Sequence, residues 1–168
     1  MKKYYLMAID KGDIIAMYNL GYYYHFIEIN YDLMKTYYLM AINNGGNSES
    51  MNNLGNYYEK IEINYDLMKT YYLMAIDKDN CSAINNLGHY YHTIEKNYDL
   101  MKKNYLIAID NGNIEAMYNL GNYYENIEIN YDLMEKYYLL EIDKGDYYAK
   151  QKLIEYYVNK IQDDNEIN

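Results

Sequence analysis

The 168-residue chain contains no proline, no tryptophan and no arginine, and it has one cysteine. Without proline, and without strand-like alternation, nothing in the sequence competes with helix. Cys81 has no intramolecular disulfide partner, so no oxidising compartment is required and an intracellular, cytoplasmic setting is expected. No apolar run approaches the ~18 residues that a membrane span needs. The stretch after Met1-Lys2-Lys3 runs only from Tyr4 to Ile9 before Asp10 closes it, so no export signal is expected either. Fifteen basic residues, all lysine, face twenty-five acidic ones, and a net charge of −10 repels phosphate backbones and anionic lipid. Nucleic acid and membrane are not expected partners. No glycine-rich phosphate loop, nucleophile elbow, His-Glu-x-x-His or cysteine cluster occurs, so no cofactor, metal or enzymatic activity is expected.

What the chain does have is 51% apolar residues, 28 tyrosines and 23 asparagines, a bias typical of an AT-rich genome, and length for about one domain. It also repeats. A block typified by Met-Lys-Thr-Tyr-Tyr-Leu starts at Met1, Met34, Met68, Met101 and Met134, at spacings of 33, 34, 33 and 33 residues. Asn-Leu-Gly recurs at Asn19-Leu20-Gly21, Asn53-Leu54-Gly55, Asn86-Leu87-Gly88 and Asn119-Leu120-Gly121, with Lys152-Leu153-Ile154 in the same register.

Each period reads as two helices. The first spans about 14–27, with an apolar stripe at Ala16, Leu20, Tyr23 and Ile27. Asp13, Asn47, Asn80, Asn113 and Asp146 stand as its N-caps, and Asn30, Asn64, Asn97 and Asn130 open the second helix. Gly12, Gly45, Gly112 and Gly145, with Asp79 in the third copy, fall where a left-handed residue ends that helix. Two short helices cannot bury their stripes alone, so the repeats must stack. The expected fold is all-α, a right-handed α-solenoid of antiparallel helix pairs over 1–161, followed by a polar tail at 162–168.

Ala16, Leu20, Gly21, Tyr24 and Ala116, Leu120, Gly121, Tyr124, with Tyr37, Tyr38, Ala41 and Gly45, resemble the Sel-1-like repeat, a relative of the tetratricopeptide repeat. Three departures mark this chain. Segments such as Ile27-Glu28-Ile29-Asn30 replace the family's glycine-rich loop, Met34, Met68, Met101 and Met134 replace a helix alanine, and Ile42, Ile76, Ile109 and Ile142 replace the second small residue. The wording is also similar to repeat proteins of giant DNA viruses, which would place the protein in host cytoplasm. The resemblance implies a scaffold or adaptor that binds a protein or peptide and performs no chemistry.

Positions that vary between copies are free of the demands of stacking. Three rows vary on the first helices: Tyr18, Asn52, Asn85 and Tyr118; Tyr22, Asn56, His89 and Asn122; His25, Glu59, His92 and Glu125. In the resembling families the corresponding face lines a groove for a peptide or partner helix. Amide, aromatic and imidazole groups suit recognition, and no lysine stands in these rows to clamp a carboxylate. His89 and His92 share one helix face, but no third nearby His or Cys completes a metal set. Cys81 lies just after an N-cap without a base in view.

Glu28, Glu62, Glu95 and Glu128 form a recurring acidic ridge that would suit a basic partner, with Lys35, Lys69 and Lys102 placed to pair Asp32, Asp66 and Asp99 at i+3. The first helix, beginning at Met1, has no preceding repeat in this sequence to cover it, so this end is expected to be sticky, either because the chain is cut from a longer array or because it self-associates with another copy through the N-terminal end. A structural protein assembling end to end is the alternative reading.

Overall fold

The computed structural model describes residues 1–145 and 147–166, with side chains through 162. All regular structure among the described residues is helical: α1 Lys2–Ile9, α2 Ile14–Phe26, α3 Tyr31–Gly45, α4 Ser48–Lys60, α5 Tyr65–Ile76, α6 Cys81–Thr93, α7 Tyr98–Asp110, α8 Ile114–Asn126, α9 Tyr131–Asp143 and α10 Tyr148–Glu166. No helix among them is long and apolar enough to cross a membrane. The fold class is an all-α array of helix pairs. Contacts divide the chain into two compact units, Met1–Leu87 and a second starting at Gly88, with the boundary inside α6.

The helices begin where short polar side chains accept an N–H that has no partner within the helix. Asp13, Asn47, Asn80 and Asn113 accept from the backbone N–H of Ala16, Ser50, Ala83 and Ala116 at 2.8 to 3.0 Å. Asn30, Asn64, Asn97 and Asn130 do the same for Leu33, Leu67, Leu100 and Leu133 at 3.0 to 3.1 Å. The N-cap expected at Asp146 lies outside the described residues. So do Ile167 and Asn168 of the expected tail, whose earlier backbone, up to Glu166, continues α10.

Left-handed residues follow the second helices at Gly12, Asp79, Gly112 and Gly145, with φ of 83°, 59°, 82° and 89°. In the second copy the left-handed residue is Gly46, φ 63°, and not Gly45. The extra residue of that copy is absorbed as helix, so α3 includes Gly45 and the termination moves by one. The loops between first and second helices are short enough to force Ile63, Lys96 and Ile129 to φ of 54°, 55° and 49°. A β-branched side chain is strained there.

Within the first unit α2 pairs with α3 and α4 with α5; within the second, α8 pairs with α9. The core is built from the same positions each time: Ala16, Met17, Leu20, Met34 and Tyr38 recur as Met51, Leu54, Met68 and Tyr72, and as Ala116, Met117, Leu120, Met134 and Tyr138. The stripe expected at Ala16, Leu20, Tyr23 and Ile27 is therefore corrected. Ile27 caps the C-terminus of α2 and is 68% exposed, whereas Met17, one residue past Ala16, is buried. The helix ends too early for Ile27 to follow the stripe.

Candidate binding face of the first helices

The geometry of this face starts from one joint. In each complete pair, a tyrosine of the second helix lies flat in the gap left by the glycine of Asn-Leu-Gly. A Cβ built on Gly21, Gly55, Gly88 or Gly121 would lie 2.5, 2.4, 2.8 or 2.6 Å from the ring of Tyr38, Tyr72, Tyr105 or Tyr138. Those four rings are fully buried. This explains the recurrence of both Leu-Gly and the second tyrosine of the Tyr-Tyr pair. The first tyrosine stacks outside the joint: Tyr37 on Tyr24, Tyr71 on Tyr58 and Tyr137 on Tyr124 are nearly parallel with ring centres 5.5 to 5.9 Å apart.

Each buried ring carries a hydroxyl that needs a partner, and for Tyr38, Tyr72 and Tyr138 the first helices supply it, from the varying rows and from the recurrent Asn53. The Tyr38 hydroxyl accepts from Asn53 Nδ2 at 3.1 Å and lies 3.5 Å from His25 Nδ1. The Tyr72 hydroxyl is shared between Glu59 Oε2 at 2.7 Å and Asn56 Oδ1 at 2.9 Å. Tyr138 donates to Glu125 Oε2 at 2.7 Å, and Lys152 Nζ reaches the same oxygen at 3.2 Å. Burial pushes all three phenols well above their ordinary range. Burial also holds the His25 and His92 imidazoles below theirs, His89 and Lys96 adding to the effect at His92.

The three rows are therefore not uniformly solvated. His25 and Asn85 are buried, at 9% and 1% exposure, while Tyr18, Asn52, Asn56, Glu59, His92, Tyr118, Asn122 and Glu125 are half-buried, and Tyr22 and His89 are exposed. At Asn86 the recurrent asparagine links neighbouring first helices, its Nδ2 donating to Asn52 Oδ1 at 3.0 Å and to Asn56 Oδ1 at 3.3 Å. In the first unit an aromatic ladder runs along α2. Tyr18 and Tyr22 are 6.3 Å apart, Tyr22 and Phe26 4.6 Å, and Phe26 is 51% exposed. Phe26 escaped the row comparison because it lies one residue past His25. It is the single phenylalanine of the chain, and its equivalents are Lys60, Thr93 and Asn126.

The acidic ridge is not bare. Lys2 Nζ lies 2.6 Å from Glu28 and Lys102 Nζ 3.0 Å from Glu128, with Lys35 Nζ 3.7 Å from Glu62. Tyr23, Tyr90 and Tyr123 donate their hydroxyls to Glu28, Glu95 and Glu128. The lysines thus reach forward to the next repeat. Of the i+3 pairs, Lys35 with Asp32 forms at 3.8 Å. Hydrogen bonds from Lys2 and Tyr23 hold the Glu28 carboxyl below its usual range, and burial beside Glu128 pushes the Tyr123 phenol up to about 12. Among the described residues no group of three or more His, Cys, Asp or Glu is placed to hold a metal ion. Cys81 is half-buried.

No family model and no curated protein sequence matches the chain. Solved structures do. A protective antigen of uropathogenic Escherichia coli strains, displaying an SLR fold, superposes with a TM-score of 0.73 at 20% identity over 88% of this chain and 34% of its own. A Sel1 repeat protein from Oxalobacter formigenes gives 0.69 at 20% identity, covering 85% and 63%. An immunity protein of Pseudomonas aeruginosa gives 0.62 at 22% identity, covering 88% and 58%. The chain spans about one third to just under two thirds of the length of these proteins. At such identities the likeness is one of fold, and the fold shared is the Sel1-repeat array of paired helices.

Proposed function

We propose that the protein is a non-catalytic interaction scaffold that holds a peptide or partner protein on the faces of its first helices. In the first unit that face comprises Tyr18, Tyr22, His25, Asn52, Asn56, Glu59 and Asn85, extended by Phe26. In the second it comprises His89, His92, Tyr118, Asn122 and Glu125. The observation that carries the reading is the ladder of Tyr18, Tyr22 and Phe26, whose Tyr18 lines one cavity with Asn52 and Asn53. Stacking does not demand it, since the equivalent positions of α4 are Asn52, Asn56 and Lys60. Exposed aromatic rings supply large contact area at low entropic cost, and amides pair with peptide backbone groups. Because Asn52 and Asn56 accept from Asn86, their Nδ2 groups keep donors for a bound carbonyl.

A net charge of −10 favours a basic partner over nucleic acid, although the lysine pairing of Glu28, Glu62 and Glu128 removes the ridge as its natural seat. The similarity to giant-virus repeat proteins, and with it a host-cytoplasmic setting, rests on sequence wording alone. The test is an affinity pull-down from the native host, followed by titration of the recovered partner against variants. Tyr22→Ala should weaken binding by more than about 1 kcal/mol. Asn122→Ala should cost less, and Asn56→Ala should also lower stability, because Tyr72 and Asn86 each lose one of two acceptors. Wild-type affinity in a Tyr22→Ala, Asn56→Ala, Asn122→Ala triple variant would remove the face from consideration.

A further inference from the structure

We propose that a cavity among α8, α9 and α10 seats a basic side chain of the partner, its ammonium or guanidinium end held by Glu115 and Glu141 against the rings of Tyr118 and Tyr148. This rests on the reading of the first helices as a binding face, and it gives a basic partner the seat that the lysine-paired ridge lacks. The repeats supply a contrast at Glu141. Ala8, Ala41, Ala75 and Ala108 stand at that place in the other copies. Ala41, Ala75 and Ala108 are fully buried, and Glu141, 1% exposed, is buried as well. Stacking therefore asks for a methyl group there and not for a carboxylate. A charge is costly at a buried position, so neither stacking nor stability accounts for the exchange. Glu141 lines a cavity of about 420 Å³ together with Glu115, Tyr118 and Asn119 of α8 and Tyr148 of α10.

This lining suits one class of ligand. Two carboxylates attract a cation, and an aromatic ring adds to the attraction. The rings of Tyr118 and Tyr148 stand 6.5 Å apart at 59° to each other, so they form a corner and not a stack. A lysine or arginine side chain matches such a lining, its aliphatic stem against the rings and its charge beside the carboxylates. A metal ion fits less well, because among the described residues no group of three or more His, Cys, Asp or Glu is placed to hold one. Tyr118 belongs to the varying rows, so the cavity shares a wall with the proposed face. The corresponding place in the first unit differs in each of these respects. There a cavity of about 400 Å³ has Glu49, Asn52, Asn53 and Ser82 where the second unit has Glu115, Tyr118, Asn119 and Tyr148. An amide and a hydroxyl thus replace both rings, Ala75 stands in place of Glu141, and Lys78 brings a cation of the chain's own into the lining. In the second unit Lys144, the counterpart of Lys78, lines an adjoining cavity with Tyr147 and Tyr148 instead. A gap of this kind belongs to the repeat, and the lining that suits a cation belongs to the second unit.

The test is an NMR titration of isotope-labelled protein, into the millimolar range, with end-blocked glycine peptides that carry one central lysine or arginine, and with their neutral counterparts carrying acetyl-lysine or citrulline. A cationic peptide should shift the resonances of Tyr118 and Tyr148, and its neutral counterpart should bind at least tenfold more weakly. Glu141→Ala restores the residue of the other copies, so its helix content and melting temperature should be no lower than those of the wild type. It should weaken the cationic peptide at least tenfold, as should Glu141→Gln, and Tyr148→Ala should weaken it at least threefold. Unspecific attraction to an acidic chain would survive these single changes. Equal binding of charged and neutral peptides, absence of any shift at Tyr118 and Tyr148, or wild-type binding by a folded Glu141 variant would each overturn the proposal. Should the alanine variant unfold, the glutamine variant decides. The partner recovered from the host separates this seat from the wider reading. A partner weakened by Tyr22→Ala but not by Glu141→Gln overturns the seat and leaves the binding face standing. Cationic peptides held through Glu141, in a chain whose partner ignores Tyr22→Ala, uphold the seat and remove the face of the first unit.

Discussion

The joint between α2 and α3 and that between α8 and α9 hold the same ring in the same gap, yet their hydroxyls meet different chemistry. Tyr38 faces the imidazole of His25 and the amide of Asn53, a neutral set, whereas Tyr138 faces the carboxylate of Glu125 with Lys152 beside it. The distances from glycine to ring, 2.5 and 2.6 Å for a built Cβ, are almost the same. Steric fit thus fixes the joint, and the hydroxyl's partner is left to vary. That freedom lets one face of the first helices differ between repeats without altering the fold.

The largest expected effect should strike both joints alike. Leu20→Ala and Leu120→Ala, each removing a fully buried side chain, should cost roughly 2–5 kcal/mol by denaturant unfolding, and Leu87→Ala, nearly as buried, should fall in the same range. A loss under about 0.5 kcal/mol at any of them would show that the site is not core. Next come the glycines. Gly21→Ala and Gly121→Ala should each cost about 1–3 kcal/mol through the displaced ring, and a difference between them larger than that would break the equivalence of the joints.

The hydroxyls should then separate the joints. Tyr138→Phe removes a hydrogen bond to a charged acceptor, Glu125, which keeps only Lys152 at that oxygen, and should cost about 1.5–3 kcal/mol, against about 0.5–1.5 for Tyr38→Phe. Equal losses would mean that the charged partner contributes nothing special. The same contrast should appear with pH. Burial lowers the folded pKa of His25, so the unfolded chain binds the proton first. The stability contributed is complete above the unfolded value near ~6.5 and falls as the pH drops through the folded one. Unfolding curves at neutral and mildly acid pH should show a loss that His25→Asn reduces, the remainder including His92. The smallest effect is a gain: Ile129→Gly, relieving a left-handed isoleucine, should stabilise by about 0.5–1 kcal/mol, and a loss would show that the loop is not strained.

Helices, their caps and the register of repeats were legible because each is set by residues within a few positions of one another. Asn30 and Asn64 cap where short side chains before an apolar run should. Features that depend on another repeat were hidden. Lys2 and Lys102 pair across 26 residues with Glu28 and Glu128, a reach that local spacing does not encode. Ile27 matched the helical period but lay beyond the helix end. Comparison of copies separated constant from varying positions, yet it could not show that His25, Glu59 and Glu125 vary as partners of a constant tyrosine. Phe26 was visible only as an odd residue in a column of Lys60, Thr93 and Asn126.

The joint itself is tested most directly by a double-mutant cycle between Gly121→Ala and Tyr138→Leu, read by denaturant unfolding. If the ring occupies the gap that glycine leaves, shrinking it should make the alanine tolerable, and the two changes should couple by about 1–3 kcal/mol in the rescuing direction. Additive losses, with coupling near zero, would contradict the account.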